Sequence, residues 1–469
     1  MRIPLQRSDS PSAPSPVHGA HAVVLGASIS GLLAARVLSD HFDQVTVVER
    51  DLLPATAEPR RGVPQGRHVH VLLPRGASAL EELFEGFLDE LAADGAASPR
   101  NLSQYYLDFG GYLLNQDDMD GDPAYLQSRP FLERHVSDRV QALPNVTVLD
   151  GHDVAGLRWD SEGRRVVGVS AVPRHRPEAG REIPADLVVA ATGRSGRVGS
   201  WLSEREYEPP AEDELRIDLV YASRWMRLDR SLTEGWDVVV VSPNPDRPIG
   251  VTALAQENDM WVVSLEGFSG HHPSTDPKAW LETATSLAPP GFAAAIREGE
   301  AITDISAHRI PSNLWRRYDK LGRFPEGLLV TGDAICSFNP IYGQGMMVAA
   351  LEALALRDTL RTGEDNLANR YFKQASKPVR LAWQTAVGAD LSMPAEVVAG
   401  PRPLPLRAVN AYMELYQEAA QHDPVLAMQF LKVTGFEEPA RALFSPSAVR
   451  RIVGQRRRRT RERATQQGR

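Results

Sequence analysis

The sequence predicts an α/β fold in which a layered, parallel-sheet domain is interrupted by a mostly antiparallel β-sheet and followed by a helical segment. Three observations predict it. The stretch "VVLGASISGLLAARVL" (23–38) reads as strand, glycine turn and helix, and "QVTVVERD" then returns an apolar strand, completing a βαβ unit. Between about 205 and 325 the texture changes to "LRIDLVYASRWMRL", "WDVVVVS", "IGVTALA" and "MWVVSLEGF". These are strand candidates rich in Val, Trp and Tyr, with turn residues such as "NPDRP" and "QEND" between them. From 327, strand, irregular loop and a long Ala/Leu helix return, and helices broken by "AGPRPLP" run on to about 453.

The boundaries follow in order. Residues 1–18, rich in Ser and Pro, read as disordered; 19–204 form the first part of the layered domain, 205–325 the inserted sheet, and 326–395 the second part of the domain. C-terminal helices occupy 396–453, and 454–469 are a basic tail. Within the first part, "NVTVLDGHDVAGLRWDSEGRRVVGVSAV" and "ADLVVAATGRSG" are read as additional strands of the same layered unit.

Composition narrows the class. A chain of 469 residues with 42% hydrophobic content has enough apolar mass for real cores. No apolar run reaches the roughly 18 to 20 residues of a membrane span, and the N-terminus lacks the apolar middle of a signal peptide, so a cytoplasmic protein is expected. The single cysteine, Cys336, excludes a disulfide framework and a thiolate metal cluster within the chain. Net charge is −8, but 450–469 carry nine arginines against Glu462, or +8, leaving −16 for the rest. The run "QRRRRTRER" is read as a solvated terminus rather than a nucleic-acid or lipid site.

The chemistry begins at the first turn. Gly26 and Gly31 let the backbone approach a pyrophosphate and let the helix pack on the strand; Ser28 stands where a middle glycine is expected, with a hydroxyl able to donate to a phosphate oxygen. Glu49, 23 positions beyond Gly26, is placed to accept hydrogen bonds from an adenosine ribose. His68 and His70, two apart, share one strand face, but no third ligand is evident and no metal is expected.

A second motif selects the nucleotide. "TGDAICSFNPIYGQG" (331–345) resembles the second flavin-contact motif of the group A flavoprotein monooxygenases, the family of the para-hydroxybenzoate hydroxylase fold. The resemblance covers most of 20–395 and implies a Rossmann-like FAD-binding domain carrying an inserted substrate domain. It assigns Asp333 to the ribityl chain of FAD, Pro340, Gly343 and Gly345 to backbone lying flat against the isoalloxazine, and the following helix to the electron-rich edge of the ring. "RRGVPQGRHVHVLL" (60–73) is similar to the segment passing beside the flavin and looks closest to the branch of polyether epoxidases related to squalene epoxidase; Arg60 or Arg61 then meets the pyrophosphate. Arg129, at a helix start in "QSRPFLERHV", corresponds to the arginine on the FAD phosphates or adenine side.

What the resemblance implies is oxygen transfer. Reduced flavin would react with O2 to a C4a-(hydro)peroxide that epoxidises or hydroxylates a small apolar, polyketide- or terpene-like substrate. Tyr221, Trp225, Trp236 and Trp261 are candidates to line the dry chamber this needs, with ordinary core as the competing reading. No general acid or base is assigned. Where many members carry Asp-Gly, Thr192 precedes Gly193, so the electron source is either NAD(P)H directly or a separate flavin or ferredoxin-type reductase. The rivals are a prenyl-chain reductase and a non-catalytic lipid-binding protein on the same fold. A tryptophan-type halogenase is disfavoured, since its Trp-x-Trp-x-Ile-Pro stretch is absent and no lysine precedes Lys278.

Overall fold

The computed structural model describes residues 19–467, with side chains through Arg458. The expected disorder of 1–18 therefore lies outside the described residues. Five strands make a wholly parallel sheet in the order Leu328–Val330, Leu187–Ala190, Gly19–Leu25, Phe42–Val48 and Val146–Leu149. The order reverses at the first strand, which is the switch point where open α/β sheets bind ligands beyond their carboxyl ends. "AVVL", "LVVA" and "LLV" are continuous apolar runs because helices and the strand Val166–Pro173 both pack against this sheet. The helix Ile29–Ser39 buries Leu32, Leu33, Val37 and Leu38 and packs against Gly345–Leu360, the helix following the second motif. Each leucine buried there contributes about 1.5–3 kcal/mol. The motifs are thus joined by core before any ligand is considered.

The large second sheet runs Cys336–Ser337, Ser306–Arg316, Glu212–Arg227, Trp261–Gly267, Ile249–Ala255, Val238–Val241, Tyr105–Phe109 and Tyr112–Leu113, with Glu300–Ala301 also paired to Glu212–Arg227. It is antiparallel except where Val238–Val241 lies parallel to Tyr105–Phe109. Residues 105–113, read from sequence as part of the first domain, thus extend the inserted sheet. Two helices that the sequence reading did not single out, Pro277–Leu287 and Pro290–Glu298, cover the face carrying Trp261.

One further expectation is corrected. Of the strands assigned to the layered unit, only Val146–Leu149 and Leu187–Ala190 join the parallel sheet; His152–Trp159, Val166–Pro173 and Arg181–Pro184 form a separate three-stranded antiparallel sheet. The basic tail continues the last helix, Pro446–Gln467, because Arg, Gln, Glu and Ala are strong helix formers. Among the described residues no helix is long and apolar enough to cross a membrane.

Candidate functional site

The carboxyl ends of the parallel strands open onto one cavity of about 2060 Å³. That is larger than the roughly 300–1,000 Å³ of an ordinary small-molecule pocket. Gly26, Ser28, Glu49, Arg60, Arg129, Asp333, Pro340, Gly343 and Gly345 all line it. Gly31 lies one turn inside the first helix, and Arg61 is exposed and outside the lining.

At the first turn the glycines have steric causes. Gly26 holds φ +104°, and a Cβ there would come within 2.6 Å of the Ala191 carbonyl oxygen; a Cβ at Gly31 would collide with the Gly26 carbonyl. Ser28 is the N-cap of Ile29–Ser39, and its carbonyl accepts the first helical bond from Leu32 N at 2.9 Å. The amides before Leu32 are left to point outward, as at any helix start. The Ser28 hydroxyl accepts from Arg129 Nη2 at 2.8 Å, which leaves its own O–H to donate.

Glu49 is buried, accepting from Ala27 N at 2.7 Å and Asp51 N at 2.9 Å, with Arg60 Nη1 at 3.1 Å. A carboxylate has about four lone-pair sites, so capacity for a ribose hydroxyl remains. Arg60 is almost wholly engaged: it donates to Glu133 Oε1 from Nε and Nη2 at 2.9 and 2.6 Å and to the Ala27 carbonyl at 2.9 Å. Burial works to lower its pKa, but Glu133, Glu49 and Asp51 outweigh that and raise it. Arg129 completes the group through Glu133 Oε2 at 3.1 Å. Of the two arginines expected at the pyrophosphate, Arg60 lines the cavity while tying the loops together, and Arg61 is exposed and outside the lining. Arg129 likewise lines the cavity and bonds the glycine turn, with fewer of its N–H groups engaged than Arg60 has.

The second motif closes over the first. Gly332 adopts φ +68°, where a Cβ would collide with the Ser30 hydroxyl, so the two loops touch across three hundred residues of sequence. Glu352 fixes the turn, accepting from Gly332 N at 2.6 Å and Thr331 Oγ1 at 3.0 Å, and its burial pushes its pKa up to about 8. Asp333 faces the cavity; burial raises its pKa, Arg129 and Arg194 pull it down by charge alone, and among the described residues its carboxylate has no hydrogen-bond partner. Arg194 clamps the two sheets, donating to the Ser312 carbonyl and hydroxyl, each at 2.6 Å. Asp390 holds the next loop, accepting from Asn313 at 2.6 Å, Asn339 at 2.7 Å and Tyr342 at 2.8 Å, and is pushed by burial up to about 6 despite those bonds. Gly343 is left-handed at φ +64°, and Gly345 has open space where a side chain would stand, at the start of Gly345–Leu360. An unpartnered carboxylate, a bare glycine and two helix starts around one cavity fit a flavin dinucleotide.

Beyond this cradle the cavity becomes a chamber between the large sheet and the C-terminal helices, walled by Leu107, Val238, Leu254, Met413 and Phe430. Tyr221 lines it. The other three aromatic candidates do not, which corrects the expectation. Trp261 lies on the opposite face against Phe292 at 5.3 Å, Trp236 packs on Tyr106 at 4.9 Å, and Trp225 donates to the Arg67 carbonyl at 3.3 Å. Successive strand residues face opposite ways, and "MWVVSLEGF" puts Glu266, not Trp261, in the chamber lining, with Ser264 on the same strand face. Glu266 was missed, although a lone charged residue in an apolar strand was its signal. Its burial pushes its pKa up to about 8.

His68 and His70 lie on irregular chain after the turn Pro64–Arg67, not on a strand, and both line the cavity. Burial lowers their pKa values to about 4 and about 3, so both are neutral near pH 7. Among the described residues no cluster of three ligating side chains forms.

Comparison with known proteins agrees with this geometry. A family model described as "FAD binding domain" matches residues 20–380. The Mycobacterium tuberculosis protein Rv3254 is 37% identical over 425 residues, covering 88% of each chain. Among solved structures, a flavoprotein/dehydrogenase from Cytophaga hutchinsonii superposes with TM-score 0.65 at 14% identity, covering 89% of this chain and 92% of its own. p-Nitrophenol 4-monooxygenase PnpA from Pseudomonas putida DLL-E4 gives 0.64 at 17%, covering 91% and 100%. At those identities the likeness is one of fold.

Proposed function

The chain belongs to the FAD binding domain family and its cofactor is FAD; within that family we propose that it is a flavin-dependent monooxygenase acting on a mainly apolar substrate by epoxidation or hydroxylation. The observation that carries this reading is the continuity of the cavity from the Asp333 loop into the apolar chamber. Its likeness to p-nitrophenol 4-monooxygenase is a further support. Bound FAD supplies the redox chemistry, taking two electrons from a reductant and, with O2, delivering one oxygen atom to substrate while the other leaves as water.

The chain's own part is placement and protection. The outward amides at the start of Ile29–Ser39, with Arg129 beside them, receive the pyrophosphate. Glu49 accepts from the adenosine ribose and Asp333 from the ribityl hydroxyls, while the start of Gly345–Leu360 presents its N–H groups to the ring. Leu107, Val238, Leu254 and Phe430 keep the reacting centre dry. Thr192, at the end of the strand Leu187–Ala190, brings a buried, unpartnered hydroxyl instead of a carboxylate. Electrons accordingly come from NAD(P)H or from a separate flavin or ferredoxin-type reductase.

The test is isotopic. The purified holoprotein is reduced, first by NADH or NADPH alone and then with an added reductase, and exposed to oxygen-18 with polyene and phenolic substrates. One labelled oxygen atom in product is the expected result. Label confined to peroxide and water, or a saturated product free of label, overturns the reading.

A further inference from the structure

The large sheet lays a polar patch across its chamber face. In register, Glu266 stands opposite Tyr221 and Tyr221 opposite His308; two residues along, Thr252 faces Ser264 and Ser264 faces Ser223. Directly opposed residues share a face, so these side chains form two adjacent rows. One row is internally satisfied. His68 Nδ1 lies 2.7 Å from Ser223 Oγ, which lies 2.6 Å from Ser264 Oγ, and Ser264 and Thr252 hydrogen-bond to the Glu266 carboxyl.

The other row is not. Among the described residues, Glu266 Oε1 and Tyr221 Oη are both fully buried and without a partner, although both residues line the cavity. Buried polar atoms left unpaired cost free energy, and natural folds retain them where a ligand completes them. Tyr221 belongs to the apolar cluster against which Ile341 packs and lies near enough to Tyr342 and Asp390 to interact with them electrostatically, so the pair sits where the cofactor cradle meets the chamber.

We propose that Glu266 and Tyr221 are the substrate-recognition pair of the chamber and bind a hydroxyl group on an otherwise apolar molecule. The hydroxyl donates to Glu266 Oε1 and accepts from the Tyr221 phenol. One acceptor beside one donor is the complement of an alcohol or phenol, and a hydrocarbon satisfies neither. Ser264 and Thr252 donate to the Glu266 carboxyl, favouring its charged form against burial and leaving Oε1 as the acceptor for the ligand hydroxyl. This assignment rests on the chamber receiving the substrate, as proposed above.

The probes are 1-naphthol and 1-methylnaphthalene, similar in shape, titrated into the holoprotein while the absorption of oxidised flavin is followed. The parent binds 1-naphthol tighter by about tenfold or more. Tyr221→Phe and Glu266→Leu lose that preference and keep their affinity for 1-methylnaphthalene, with flavin content and circular dichroism confirming the fold. Glu266→Gln retains the preference, because its amide oxygen still accepts from Ser264 and Thr252 and its other end still hydrogen-bonds the ligand hydroxyl. Equal affinities in the parent, no binding of either probe, or a preference surviving in Tyr221→Phe overturns the proposal. Oxygen-18 incorporation on the same preparations keeps the two readings separate: preference without label sinks the monooxygenase and leaves the pair, and label without preference does the reverse.

Discussion

The two ends of the cavity treat their polar groups in opposite ways. At the glycine turn, Glu49, Arg60, Glu133, Arg129 and Ser28 hydrogen-bond or ion-pair with one another and with backbone, leaving little unmet. Toward the chamber, Asp333, Tyr221 and Glu266 keep carboxyl or hydroxyl oxygens without partners among the described residues. The first end is prearranged by the protein's own contacts, so its residues govern stability as well as binding. The second end is incomplete until something enters, so its residues govern binding more than folding.

The largest effect expected from this contrast is at Arg60. Arg60→Ala takes the shared guanidinium from buried Glu49 and half-buried Glu133, leaving the first only its two backbone amides and the second only Arg129, and lowers unfolding free energy by about 3–5 kcal/mol, read by denaturant melts of the apoprotein. A melt indistinguishable from the parent would remove the distinction between the two ends. Next comes Gly31→Ala, whose methyl meets the Gly26 carbonyl: about 1–3 kcal/mol lost and a displaced glycine turn, seen as weaker FAD binding as well as a lower Tm. A variant that binds FAD normally would show that this turn does not seat the cofactor.

The smallest effect is a slope with pH. Glu352 has its folded pKa raised to about 8 by burial, so the folded state holds its proton more tightly than the unfolded chain does. Its contribution to stability is therefore full below the ordinary carboxyl pKa and is lost as pH rises toward about 8. Glu352→Gln, which mimics the protonated form, flattens this part of the Tm profile by a few degrees. A parent and variant with parallel profiles would mean that Glu352 is not held neutral at the Gly332 turn.

The residues legible in the sequence were those whose role is a backbone constraint. Gly26 and Gly343 are needed where φ is positive, Gly31 where two backbones nearly touch, and Asp333 follows a strand end; each announces itself locally. Partnership was not legible. Nothing near Arg60 in the chain reveals that Glu133, 73 residues on, occupies its guanidinium, and the parallel pairing of Tyr105–Phe109 with Val238–Val241 joins segments far apart. Side-chain facing was only half legible. Alternation along "MWVVSLEGF" separates Trp261 from Glu266, but which face meets the chamber depends on the helices Pro277–Leu287 and Pro290–Glu298 covering the other one.

Convergence of the two distant loops on one FAD is tested most directly at Asp333. The account predicts that Asp333→Ala leaves the apoprotein Tm within error of the parent, because no protein partner is lost. It also predicts that the FAD dissociation constant rises by about tenfold or more, as expected for losing roughly 1.5–3 kcal/mol of charge-assisted hydrogen bonding. An unchanged dissociation constant in a folded variant would contradict it.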